Sequence, residues 1–149
     1  MDILTVLGFV WISFFVYKWY FKPVETFGDV ISRGFYLSLI GMKKKERDLY
    51  LRSLNEMELT PGEKTDLRFI LGISFVKNGE CVKAISFFDL AFRNYEEVFY
   101  YKKEFNLVLD SYLTCKKTDE ARELFYFFLE RKKFDQKFAK LEKKYSFLL

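Results

Sequence analysis

Residues Ile3–Tyr17 read ILTVLGFVWISFFVY, a run without a single charge, and no other feature limits the fold so strongly. A helix that is apolar on every side has to lie in a bilayer or be covered by protein. Continued to Phe21, the run reaches 19 residues with one lysine. At about 1.5 Å per residue it nearly spans a hydrocarbon core of about 30 Å. Lys18 and Lys22 are placed to snorkel to the interface, and Trp19 and Tyr20 fall where an aromatic belt is expected. Residues 1–22 are therefore expected to form a transmembrane anchor in contact with the lipid bilayer, followed by a helical domain over 23–149. A cleaved signal peptide needs a basic start and a small-residue cleavage site, whereas this segment opens on Asp2 and closes on KWYFKP. A buried helix of a soluble protein is the alternative for so short and Phe-rich a run.

The flanking charges set a direction. Asp2 precedes the run, and Lys18, Lys22, Arg33 and the Lys43–Arg47 cluster follow it. The positive-inside rule then predicts a single-pass protein, N-terminus outside and C-terminal domain cytoplasmic. Cys81 and Cys115 fit no zinc or redox spacing and are expected as reduced thiols, which agrees with that compartment.

Half of the 149 residues are hydrophobic and 19 are Phe, ample for a core, while two Pro and seven Gly leave the chain helix-rich. There is no His, so the commonest general base and metal ligand are missing. No phosphate-binding glycine loop or nucleophile elbow occurs. Glu96-Glu97 and Asp119-Glu120 are adjacent pairs that do not share a helix face, and the second pair suits a helix start. No catalytic residue, metal site or cofactor is expected. A net charge of +4 does not point to nucleic acid. The run Lys43-Lys44-Lys45 with Arg47 reads either as a solvated helix end or as a contact for acidic lipid headgroups.

Beyond Pro23 no strand alternation appears. Amphipathic helical stretches are predicted over 25–41, 44–58, 63–77, 81–94, 99–115, 118–132 and 135–147, joined by short polar breaks that imply antiparallel pairs. The fold class is all-α. Thr60-Pro61-Gly62-Glu63 is a helix start with Thr60 as N-cap. Residues 65–98 form the clearest repeat. Leu71-Gly72 and Phe75 lie in its first helix, Gly79 in the turn, and Ala84, Phe88 and Ala91 in its second helix. This pattern resembles the tetratricopeptide repeat. Gly72 and Ala84 would let the helices approach, with Phe75 and Phe88 filling the space between them. Arg68 and Glu96 depart from the family's aromatic and proline.

Residues 102–135 are a weaker match through Phe105, Val108, Leu109, Tyr112, Ala121, Phe125 and Phe128. Tyr112 and Ala121 lie 37 residues beyond Phe75 and Ala84, so about three residues are inserted around Tyr95–Tyr101. Residues 27–62 are a degenerate candidate whose small-residue positions do not match. Phe134, Phe138, Leu141, Tyr145 and Leu148 mark a capping helix over about 135–147. The resemblance implies helix pairs stacked as a short right-handed solenoid. It also implies a concave surface made by the first helices of the pairs, for a peptide or helix of another protein. Its positions here are Asp66, Phe69, Ile73, Val76 and Lys77, then Lys103, Asn106, Asp110, Leu113 and Thr114. Asp110 would repel a terminal carboxylate, so an apolar groove at Phe69, Ile73 and Val76 is expected instead. The alternative is that a neighbouring helix of the same chain fills it. The function implied is a membrane-anchored adaptor. Other readings are an accessory subunit of a membrane complex or a small membrane-bound inhibitory or immunity protein.

Overall fold

The computed structural model describes every residue except Met1, Phe21, Lys22 and Asn94, and at Phe15, Lys18, Trp19 and Tyr20 it describes the backbone alone. The described residues are all-helical, and they form two units, Met1–Met57 and Glu58–Leu149.

The first unit holds α1 (Ile3–Tyr20), α2 (Phe27–Leu39) and α3 (Lys43–Glu56). Among the described side chains of α1, the apolar ones stand exposed, from Ile3 and Leu4 through Trp11 to Tyr17. Its 18 residues amount to about 27 Å of helix. Among the described residues no helix is long and apolar enough to cross a membrane, so α1 as it stands falls short of the expected span. α2 opens on a reciprocal cap. The Asp29 N–H donates to Thr26 Oγ1 (3.2 Å) and the Thr26 N–H to Asp29 Oδ2 (3.1 Å), which satisfies two otherwise orphaned donors.

The second unit holds α4 (Pro61–Lys77), α5 (Cys81–Phe92), α6 (Phe105–Thr114), α7 (Thr118–Leu129) and the short α8 (Ala139–Lys144). α4 begins as expected. The Thr60 hydroxyl accepts from Glu63 N–H (3.3 Å), Glu63 Oε2 accepts from Thr60 N–H (2.8 Å), and Pro61 fills a first-turn position that needs no donor. α5 packs on α4 and α6, and α6 on α4 and α7.

Three hairpins, α2–α3, α4–α5 and α6–α7, share one register. A contact residue (Gly34, Gly72, Leu109) is followed seven places on by a left-handed turn residue. These are Gly41 (φ 76°), Gly79 (φ 77°) and Lys116 (φ 59°). Each turn closes with the same two backbone bonds: Gly41 N–H to Ser38 O and Met42 N–H to Leu37 O, Gly79 to Val76 and Glu80 to Phe75, Lys116 to Leu113 and Lys117 to Tyr112. Sixteen places past the contact residue stands a buried aromatic: Tyr50, Phe88 or Phe125. In the first two hairpins the ring lies directly on the glycine. A Cβ on Gly34 would come within 2.1 Å of Tyr50 Oη, and one on Gly72 within 2.3 Å of Phe88 Cε1. The small residue that sequence reading did not find in 27–62 is thus Gly34. The matching inward positions on the second helices, Glu46 and Ser53, are buried like Ala84 and Ala91.

Two predicted helices differ. The stretch 99–104 is not helical; α6 starts only at Phe105. Phe99 turns inward among Phe92, Phe105, Phe127 and Phe138, and the Tyr101 N–H donates to Asp135 Oδ2 (3.1 Å), so tertiary contacts take these groups from a helix. The predicted closing helix over 135–147 breaks into a 3-10 turn, α8 and a second 3-10 turn. Its stripe is nevertheless buried at Phe138, Leu141, Tyr145 and Leu148, while Phe134 stays exposed.

Candidate functional site

The expected groove does not form as an open apolar surface. Phe69 is only 7% exposed and Ile73 8%. Phe69 packs against Phe88, Phe92 and Phe105, its ring centroid 5.5 to 6.3 Å from theirs. Lys102 Nζ lies 5.3 Å above the same ring and pairs with Asp66 at 3.1 Å. Val76 is half-buried and Lys77 exposed. On α6, Asn106 Nδ2 donates to Lys103 O (2.9 Å) and Tyr101 Oη (3.3 Å). Asp110 accepts from the Tyr145 hydroxyl (2.8 Å) and from Lys144 Nζ (3.0 Å). Leu113 is half-buried, Lys103 and Thr114 exposed. Phe69 and Ile73 are therefore in the core, and Asp110 is engaged by the chain's own C-terminal segment. This is the internally filled alternative. Of the expected membrane-interface side chains, those of Lys18, Trp19 and Tyr20 are not described, and Lys22 lies outside the described residues.

The cysteine reading is overturned. Cys81, at the start of α5, and Cys115, closing α6, form a disulfide, with Cα atoms 6.3 Å apart. Sequence spacing gave no hint of it because the pairing depends on α5 and α6 being neighbours in space. The thiol argument for a reducing compartment falls with it.

A cleft of about 280 Å³ lies between α5, α6 and α7. Phe88, Phe92, Leu124 and Phe127 contribute apolar walls, and Asp89, Arg93, Lys117, Glu120 and Glu123 contribute charges. Tyr112 joins the two classes. Its hydroxyl donates to Asp89 Oδ1 at 2.6 Å. Burial first, and then the Asp89 bond and charge, push the Tyr112 hydroxyl far above its ordinary value, so it remains a donor. Lys117 Nζ sits 3.4 Å from Glu120 Oε1. The Glu120 carboxyl is held below its usual range by its own backbone N–H first and then by Lys117.

One wall is braced from outside the cleft. The Arg131 guanidinium lies 3.9 Å over Phe127 and 5.4 Å over Phe99, and donates to Tyr95 O (3.1 Å) and Phe127 O (3.4 Å). The cleft has no nucleophile beside a base, and among the described residues no cluster of His, Cys, Asp or Glu could hold a metal ion. The cleft presents apolar walls edged by charged groups, and the one proton of the Tyr112 hydroxyl is committed to Asp89. Asp89, Arg93 and Glu123 were not singled out in the sequence. The available signal was Asp89 alone among apolar neighbours in ISFFDLAF.

The described residues are all-α, with three helical hairpins in a common register. No protein-family model, curated protein or solved structure matches the chain.

Proposed function

We propose that this chain is a membrane-anchored adaptor whose partner protein docks in the α5–α7 cleft instead of on the α4 and α6 face. The observation that carries the reading is the contrast between the two surfaces. The cleft is open, with apolar walls and charged groups, whereas Phe69 and Ile73 are buried and Asp110 is occupied by Lys144 and Tyr145. The shared register of the three hairpins supports the tetratricopeptide-type reading of the fold.

The anchor reading draws on α1, whose described apolar side chains are exposed from Ile3 to Tyr17. A helix of about 27 Å is a few ångströms short of a typical core, a mismatch that a bilayer absorbs by thinning and by snorkelling of flanking residues. Flanking charges act at insertion, before the cysteines meet, and favour a cytoplasmic second unit. The disulfide favours the opposite side. The exposed Ser146 separates the two. With Ser146→Cys, an impermeant maleimide should label the chain only after cell lysis, and labelling of intact cells would put the second unit outside.

The docking reading is tested by affinity purification from detergent-solubilised membranes. Glu120→Lys with Glu123→Lys should reduce the co-purified protein at least tenfold with the helical spectrum unchanged, since both side chains are exposed, and with a small fall in Tm from the lost Glu120 contacts to its own backbone N–H and Lys117. Undiminished capture would sink the cleft as the docking site.

A further inference from the structure

The turn between α2 and α3 carries a surface that the hairpin does not require. Leu39 is 64% exposed, Ile40 60% and, one turn back on α2, Phe35 57%. Lys43, Lys44 and Lys45 follow at once in the exposed first turn of α3. The other two hairpins provide an internal control. Leu39 corresponds in register to Lys77 and Thr114, and Ile40 to Asn78 and Cys115. Those turns close through the same two backbone bonds and the same left-handed residue. The geometry is thus met by Lys77, Asn78 and Thr114, and by Cys115 in its disulfide, so Leu39 and Ile40 need another cause. No corresponding lysine triplet occurs either: the matching residues are Cys81-Val82-Lys83 and Thr118-Asp119-Glu120.

We infer that the α2–α3 turn is a membrane-docking tip, in which Leu39, Ile40 and Phe35 enter the headgroup region of an anionic bilayer and Lys43–Lys45 engage its phosphates. Two exposed aliphatics and an aromatic beside three cations match the layered chemistry of that interface, apolar below and negative above. A second protein would supply the apolar part, but the triplet of like charges favours a surface of dense negative charge. The inference stands apart from the anchor reading, since it uses only α2, α3 and the turn between them.

The test uses the full chain on vesicles. An environment-sensitive fluorophore is attached at Ile40→Cys, with Asn78→Cys, its counterpart in the α4–α5 turn, as the control. Vesicles are phosphatidylcholine with or without phosphatidylglycerol, and a shallow nitroxide lipid serves as quencher. On anionic vesicles the Ile40→Cys label should shift to the blue and be quenched by the nitroxide, while the Asn78→Cys label keeps its aqueous spectrum. Each Lys→Gln change among Lys43, Lys44 and Lys45 should lower occupancy about fivefold, and added salt should act in the same direction. A label that stays aqueous on both vesicle types, or that matches Asn78→Cys, overturns the proposal. So does a blue shift without nitroxide quenching that grows with protein density, which would assign the tip to a second copy. Flotation on neutral vesicles reports α1 separately. A chain that floats with an aqueous tip keeps the anchor and loses the tip, and a quenched tip without neutral flotation does the reverse.

Discussion

Replacing Gly72 by Ala should destabilise the second unit, although alanine is the better helix former. In an unencumbered helix interior the exchange stabilises by about 1 kcal/mol. Here the added Cβ would stand 2.3 Å from Phe88 Cε1, 2.6 Å from Cδ1 and 2.9 Å from Cζ. Ordinary contact begins at 3.4 Å, so the ring or the helix must withdraw by more than an ångström. Phe88 is fully buried among its neighbours, so the ring moves only by disturbing its packing. Overpacking of this kind costs about 1–3 kcal/mol, and the net expectation is a loss of about 1–2 kcal/mol. The measurement is urea unfolding followed by circular dichroism, with Gly28→Ala as control because nothing lies closer than 3.8 Å to its Cβ position. The contact is isolated by a double-mutant cycle. Combined with Phe88→Leu, Gly72→Ala should lose most of its cost, a coupling of about 1 kcal/mol or more. A Gly72→Ala protein at least as stable as the parent, or strictly additive effects, would refute the close approach and with it the shared register. Gly34→Ala faces the Tyr50 hydroxyl in the same way.

Three further outcomes are expected. Cys81→Ser with Cys115→Ser, or reduction, should lower stability by about 2–4 kcal/mol, since the bridge closes a loop with a sequence separation of 34; thiol titration of the unreduced, denatured chain should find no free thiol, and two would refute the bond. Lys116→Gly should stabilise by about 0.5–1 kcal/mol in the same unfolding assay, because Lys116 holds a left-handed φ of 59° where the other two turns use glycine. Alkaline stability should fall between about pH 10 and 12 as Tyr50, pushed up to about 12 by burial first and then by Glu46, is forced to ionise. Its folded pKa lies above the ordinary value of 10.0, so its contribution is complete below that pH and is lost as the pH rises through the folded pKa. Tyr112 and Tyr145 are raised in the same direction. A denaturant midpoint unchanged to pH 12, followed with tyrosinate absorbance, would contradict it.

Local chemistry was legible in the residues. The apolar periodicity set the all-α class, Thr60-Pro61-Gly62-Glu63 set the start of α4, and Gly79 set the left-handed turn, because each depends on neighbours within one or two turns of chain. The close approach at Gly72 was also readable, since the small residue and its aromatic belong to one hairpin. The candidate site was not. An outward-looking position on an isolated helix and a buried one have the same sequence pattern, so Phe69 and Ile73 read as a groove until α5 and α6 were seen to close over them. The disulfide, the strap around Phe99 and the cleft at Tyr112–Asp89 depend on which elements become neighbours across 23 to 36 residues. The sequence by itself determined the helical class, the start of α4 and the turn at Gly79, which rest on near neighbours in the chain. The tertiary structure decided which helix faces remain available, because burial is a property of the packed neighbours and not of the residue.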